Sequence, residues 1–332
     1  MKKIFIAILL ILTAVLIPAC KPADSKVSES VFAMDTYMQL DVYGSRECLD
    51  RLKSEIQRLD GLLSSTDEKS DIYRVNQGGS AQVSDDTERL VKRSLELCEQ
   101  TNGSLDITVY PIVEKWGFIS QNYTIPSKDE LDALLKNTGY GRVKADGKKI
   151  TVPSGFKLDL GAVAKGYAAD RSKEILNDAG VDSALLNLGG TVLAQGKKPD
   201  GENWKVGVTD PKNTDGYMGV IECADKTVVT SGNYERYFEQ NGKRYCHIID
   251  PKTGYPADKG VTSVTVISDD GTKNDALSTA LFVMGVDTAK EYIKTDGGFD
   301  CVILTEDNKA YITEGLKDSF SLKNSDYEIN IV

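Results

Sequence analysis

The stretch LDLGAVAKGYAADRSKEILNDAG, Leu158–Gly180, decides the fold class. A short apolar segment runs into a turn of small residues, after which a helix is expected from about Lys165 to Ala179, stopped by Gly180. SALLNLGGTVLAQG then reads as two buried strands parted by Gly189 and Gly190. A helix that feeds a strand in this way is an α/β unit. The small residues Gly161, Ala162, Ala164 and Gly166 would let another group approach the backbone closely, and they serve plain packing equally well.

The chain on either side has the same mixed texture. Upstream, SVFAMDTYMQLDVYG alternates as an opening strand or hairpin arm with Met34-Asp35-Thr36 at its middle. Leu49, Leu52, Ile56, Leu59, Leu62 and Leu63 then share one helix face. A second amphipathic helix is expected from Asp85 to Gln100, capped by Asp85 or Asp86. GSLDITVYP joins a short strand to Pro111 in the first turn of a short helix, and Asp146-Gly147 marks a tight hairpin. Downstream, Gly201 to Val220 reads as loop and edge material around one strand, NWKVGVTD. The strands TVVTSG and VTSVTVISDD, a helix from Thr272 to Gly285, and a strand-rich C-terminal tail that closes the sheet complete an α/β chain of mixed α+β character, with no repeats or low-complexity segments.

Two clusters carry chemistry. YCHIIDPKTGYPA, Tyr245–Ala257, holds the single histidine of the 332 residues, His247, with Asp250 three positions on. Histidine titrates near neutrality, so beside a carboxylate it is a candidate general base; a hydrogen-bonded structural role fits the same pattern. Asp275, Ser278 and Thr279 fall at i, i+3 and i+4 near the start of the last expected helix and so share a face. Their oxygens suit a hard cation, and a polar first turn on an otherwise apolar helix accounts for them as well.

The formal net charge of −10 argues against nucleic acid and an anionic membrane surface as partners, and leaves any phosphate-bearing ligand in need of local positive charge. Cys48, Cys98, Cys223, Cys246 and Cys301 show no C-x-x-C spacing, which excludes a zinc cluster and a dense disulfide framework. MKKIFIAILLILTAVLIPAC at the N-terminus is a targeting segment: two lysines, an apolar run, then Ile17-Pro18-Ala19-Cys20 in the pattern of a bacterial lipobox. Residues 1–19 are thus expected to be a signal peptide, Cys20 the lipidated residue, 20–30 a polar tether and 31–332 the domain. Lipidation would hold that domain at the extracytoplasmic face of the bacterial cell envelope.

Four stretches in order, MDTYMQL, LDLGAVAKGYAAD, TSGNYERYF with YCHIIDPKTGYP, and NDALSTALFVMG, together resemble the ApbE family of FAD:protein FMN transferases, many of them bacterial lipoproteins. The resemblance runs from about Val31 to the C-terminus, and it is the order of the motifs more than any one of them that is specific. It implies mixed sheets packed by helices, with an FAD and magnesium site at the junction of two lobes. It also implies an Mg²⁺-dependent reaction in which FAD is split at its pyrophosphate, AMP leaves, and FMN is joined to a threonine of another protein. The acceptors in such systems are extracytoplasmic flavoprotein subunits of membrane redox complexes.

By that resemblance Asp275 and Thr279 would ligate Mg²⁺ with the carbonyl of Ala162, and Ser278 is a further candidate ligand. Met34, Ser104, Leu105, Asp106, Asp159, Lys165 and Ile249 would line the FAD pocket, and His247, oriented by Asp250, would be the catalytic base. The chain departs from the family where relatives carry an aromatic residue near Thr66 that helps cover the flavin. Two other activities fit the same residues: an Mg²⁺-dependent FAD pyrophosphatase giving FMN and AMP, and a flavin-binding lipoprotein without chemistry.

Overall fold

The structure, a computed structural model, describes residues 25–332. The expected signal peptide and the lipidation site Cys20 lie outside the described residues. The expected tether overlaps the fold, because the first strand already begins at Lys26.

Nine strands form one sheet whose spatial order follows the chain: Lys26–Ala33, Thr36–Tyr43, Ser183–Asn187, Thr191–Gly196, Lys226–Gly232, Val261–Ser268, Asp300–Thr305, Lys309–Ile312 and Glu328–Ile331. Every neighbouring pair is antiparallel except the last, which is parallel. The helix–strand unit read from Leu158–Gly180 exists, with the helix at Ala164–Asp178, but its strand joins antiparallel neighbours, so the mixed sheet is of the α+β kind.

The central strands are buried on both faces, which explains their continuous apolar runs. Along Asp300–Thr305, Cys301 and Ile303 face a core shared with the helices, while Val302 and Leu304 face a second core. Leu49, Leu52 and Ile56 of the Arg46–Leu63 helix and Leu277 and Leu281 of the Gly271–Met284 helix fill the first. Trp204, Val206, Met218 and Ile221, from a small three-stranded sheet, fill the second. That small sheet holds a strand the sequence reading passed over, Asn213–Cys223, inside the span taken as loop and edge. A third, smaller core gathers Ile112, Trp116, Phe118, Leu131 and Ile249 beneath the hairpin Tyr237–Gln240/Lys243–Cys246.

Local expectations are corrected in three places. The opening segment is a complete hairpin, with Met34 (φ 50°) and Asp35 (φ 59°) both in the left-handed region at its tip, a conformation that aspartate tolerates and methionine rarely adopts. The Asp85–Gln100 helix is capped by Ser84, whose hydroxyl accepts the Thr87 N–H at 3.3 Å. GSLDITVYP contributes no strand ahead of the Tyr110–Lys115 helix, only a bridge from Val109 to Lys157. Among the described residues all five cysteines are free and buried, and no helix is long and apolar enough to cross a membrane.

Candidate active site

Two helices build the floor of the site. Twelve of the fourteen residues of Gly271–Met284 are buried, so its polar side chains need partners inside the protein. Asn274 donates to the Thr227 carbonyl at 2.7 Å and accepts from the Ser268 hydroxyl at 2.5 Å. Asp275 accepts the Gly166 N–H at 2.9 Å, and the Lys165 N–H reaches the same carboxylate. The Ala164–Asp178 helix has no side-chain cap of its own, so Asp275 supplies one from the neighbouring helix. The approach is close: a Cβ on Gly166 would stand 2.1 Å from the Gly271 carbonyl oxygen and 2.8 Å from the Asp275 Cβ. Of the four small residues noted in the sequence, Gly166 is the one whose size this crossing requires.

The three oxygens predicted to share a face of that helix separate in role. Ser278 is fully buried, its hydroxyl donating to the Asp275 carbonyl at 2.8 Å and lying 2.8 Å from the Ser231 hydroxyl. It is therefore engaged within the protein and is removed from the candidate metal ligands. Thr279 is partly accessible and touches Ser231 at 3.3 Å. Among the described residues no hydrogen bond is made to the Ala162 carbonyl. No group of three or more His, Cys, Asp or Glu side chains stands ready for a metal among the described residues. A magnesium ion, which commonly takes one or two carboxylates and fills its shell with water and substrate phosphate, fits the remaining set of one carboxylate, one hydroxyl and one free carbonyl.

Around this floor the charges are close enough to act on one another. Burial raises the Asp275 carboxyl, with Lys165 pulling it back down. Asp159 is also raised by burial and lowered by Arg236 and Lys165; its side chain accepts the Gly161 N–H at 2.8 Å, shaping the small-residue turn. Lys165 and Arg236 make no ion pair within the described residues; Arg236 is anchored instead by donating to the Phe118 carbonyl at 2.8 Å. Two cations with no carboxylate in direct contact are available to an anionic ligand in an otherwise acidic protein.

His247 stands at the end of the Lys243–Cys246 strand, where Ile248 enters the large core and Ile249 the small aromatic one. The histidine thus sits between the large core and the small aromatic one. Its backbone N–H donates to the Arg236 carbonyl at 3.0 Å and its Nδ1 lies 3.2 Å from the same oxygen. A carbonyl only accepts, so Nδ1 carries the proton and Nε2 presents a lone pair. Burial first, then the charges of Arg236 and Lys165, hold the imidazole neutral, with its pKa pushed down to about 3. The part-accessible ring is a neutral base within reach of the Arg236 and Lys165 charges.

Asp250 does not orient it. The Asp250 carboxylate accepts the Lys252 N–H at 2.9 Å and pairs with Lys259 at 3.4 Å, while its backbone carbonyl accepts from Thr253 and Gly254. Its work is to fold the DPKTG turn. Ile249, expected in the FAD pocket, is buried in the aromatic core and bridges to Pro256.

Backbone contacts place the other residues expected to line the FAD pocket. The Asp159 N–H donates to the Ile107 carbonyl at 2.8 Å, which joins the segment that carries Ser104, Leu105 and Asp106 to the one that carries Asp159. Asp106 is buried and raised in pKa by that burial; it accepts the Thr108 N–H and hydroxyl and the Tyr140 N–H at 2.6–3.0 Å, so its side chain holds this loop together. The Met34 N–H is held by the Asp60 carboxylate, and the next turn of the hairpin lies against Gly189, where a Cβ would meet the Thr36 methyl at 2.3 Å. Thr66 is exposed, its hydroxyl 3.2 Å from that of Ser64.

Sequence reasoning missed Glu235 and Arg236, although both stand in the quoted TSGNYERYF. Glu235 approaches the Gly190 backbone, and burial of its carboxyl with Asp275 nearby, against the pull of Lys165, pushes its pKa up to about 7. The residue's surface is open to solvent, so water in the cleft tempers that push. The signal available was a Glu-Arg pair among aromatics beside a turn, which by itself reads as surface.

A family model described as "ApbE family" matches residues 34–303. The FAD:protein FMN transferase of Klebsiella pneumoniae is 31% identical over 316 residues, covering 92% of this chain and 98% of the relative, and that of Treponema pallidum is 32% identical with 88% of each covered. The crystal structure of the ApbE protein of Thermotoga maritima superposes with a TM-score of 0.82 at 35% identity, covering 88% of this chain and 98% of the other. The flavin transferase ApbE of Vibrio cholerae gives 0.80 at 27%, with 90% and 100% covered.

Proposed function

The chain belongs to the ApbE family, and we propose that it transfers FMN from FAD to a threonine hydroxyl of an acceptor flavoprotein in an Mg²⁺-dependent reaction that releases AMP. The observation that carries this reading is the neutral His247, its Nε2 free, near Lys165 and Arg236, neither of which is in contact with a carboxylate, and beside a helix that carries Asp275 and Thr279. FMN transfer from FAD to protein is the activity named for relatives that span nearly the whole chain; magnesium, the threonine and the anchor are the finer part of the proposal.

Lys165 and Arg236 are placed to hold the two charges of the pyrophosphate. Mg²⁺ bound by Asp275, Thr279 and the Ala162 carbonyl would add Lewis-acid stabilisation of charge on the phosphoryl oxygens. His247 Nε2 takes the proton of the incoming threonine hydroxyl as its oxygen bonds to the FMN-side phosphorus. The bond from that phosphorus to the bridging oxygen breaks, and AMP departs with the oxygen. A pKa near 3, set first by burial and then by the Arg236 and Lys165 charges, makes the free imidazole a weak base; a bound pyrophosphate offsets the charge part of that depression and leaves the burial part in place. The depressed pKa also ensures that the site meets its substrate unprotonated.

With Cys20 lipidated, the domain works at the extracytoplasmic face of the envelope on a flavoprotein subunit of a membrane redox complex. The deciding experiment is incubation of the full chain with FAD, Mg²⁺ and a candidate acceptor, followed by mass spectrometry. FMN bonded to an acceptor threonine supports the reading; free FMN and AMP irrespective of acceptor would make the protein a pyrophosphatase, and unchanged FAD would make it a flavin-binding protein.

A further inference from the structure

The two floor helices cap each other. Gly166 and Asp170 lie one turn apart on the Ala164–Asp178 helix, as Gly271 and Asp275 do on the Gly271–Met284 helix. Each aspartate reaches the first turn of the other helix. Asp275 accepts from Gly166 at 2.9 Å; Asp170 accepts the Gly271 N–H at 2.7 Å, the Thr272 N–H at 2.8 Å and the Thr272 hydroxyl at 2.6 Å. The glycines meet at the crossing, since a Cβ on Gly271 would stand 2.6 Å from the Gly166 carbonyl oxygen just as one on Gly166 would strike that of Gly271.

The pairing is symmetric in pattern and unequal in use. Asp170 gives both carboxylate oxygens to three donors and belongs wholly to the crossing. Asp275 has its cap role and also faces the cleft with Lys165. We propose that Asp170 is a positioning residue: it locks the first turn of the Gly271–Met284 helix onto the Ala164–Asp178 helix and so fixes Asp275 and Thr279 against Ala162 and Lys165.

The inference rests on the reading that Mg²⁺ binds at Asp275 and Thr279, and the test separates the two. Mg²⁺ is titrated by calorimetry into the full-length wild type and into Asp170→Asn, Thr272→Ala and Asp71→Asn, with the metal-free Tm of each recorded. Asp71 is a control outside the site: it is buried and accepts the Ser84 N–H at 2.8 Å and the Thr87 hydroxyl at 2.7 Å. A partner that orients a metal ligand typically accounts for ~10–100-fold in affinity, so Asp170→Asn should weaken Mg²⁺ binding by about tenfold or more. Thr272→Ala, which removes one of the three donors, should weaken it by a smaller factor, and Asp71→Asn should lose Tm with Mg²⁺ affinity unchanged. Should Asp170→Asn not fold, Thr272→Ala decides alone. Equal Mg²⁺ affinity in wild type and the site variants overturns the positioning role, as does an equal loss in Asp71→Asn. A wild type that takes up no Mg²⁺ overturns the metal reading itself.

Discussion

His247 is held at two points by one oxygen, the Arg236 carbonyl, through its backbone N–H at 3.0 Å and its Nδ1 at 3.2 Å. The ring's tautomer is thereby set by main chain, and no carboxylate shares the imidazole proton. If Nε2 is the base, His247→Ala should lower flavin transfer by ~10²–10⁴-fold, the range a positioned base contributes, with FAD affinity within a few-fold of wild type. Single-turnover transfer and flavin fluorescence titration measure the two separately. Near-normal transfer in the variant would return His247 to a structural role.

The neutral imidazole also marks the stability of the protein in acid. The folded state binds the His247 proton only near pH 3, whereas an unfolded histidine binds it near 6.5. Between those values the unfolded chain holds the extra proton, so this histidine withdraws stability as pH falls through the window. Wild type should therefore lose more Tm than His247→Gln between about pH 7 and about pH 4.5, read by scanning calorimetry. Arg236→Gln removes the larger of the two depressing charges and should narrow that difference while raising the KM for FAD. Identical acid sensitivity in all three proteins would mean the imidazole is not held neutral.

Much of this arrangement was legible in the sequence, and the parts that were not share a cause. The helix at Ala164–Asp178, the buried strands flanking Gly189 and Gly190, and the helix carrying Asp275 follow from periodicity, because each buries a face or a whole surface. The pair of left-handed residues at Met34 and Asp35 was hidden because Met is not a turn former and no glycine accompanies Asp35; tertiary contacts with Asp60 and Gly189 override the local preference of Met34. Sequence spacing pairs Asp250 with His247 at three residues' distance, but a Pro-containing turn sends its carboxylate to the Lys252 N–H. The true partner, the Arg236 carbonyl, is a backbone atom eleven residues away on the opposite arm of a hairpin, and no side-chain motif encodes it. Asp170 was missed for a similar reason, since its three donors lie about a hundred residues downstream.

Asp250 supplies a test that separates turn from chemistry. Asp250→Ala removes the acceptor of the Lys252 N–H and the partner of Lys259. Loss of a side-chain cap of this kind costs about 0.5–2 kcal/mol, so Tm should fall while kcat for flavin transfer stays within a few-fold of wild type. The opposite pattern, an unchanged Tm with kcat reduced as far as in His247→Ala, would show that Asp250 assists the imidazole.

Gly166 offers the sharpest steric prediction. In an ordinary helix interior Gly→Ala is stabilising by up to ~1 kcal/mol, because alanine has the higher propensity and loses less backbone entropy. Here the added methyl would fall 2.1 Å from the Gly271 carbonyl oxygen, a backbone atom that no rotamer change can move. The helices must separate, stretching the Gly166–Asp275 and Gly271–Asp170 hydrogen bonds together. Overpacking of this sort costs about 1–3 kcal/mol, so the sign of the usual substitution should reverse and Gly166→Ala should unfold at lower urea than wild type. Since Asp275 moves with its helix, transfer activity should fall more steeply with decreasing Mg²⁺ in the variant. An unchanged or higher urea midpoint would mean that the crossing has more room than these contacts allow.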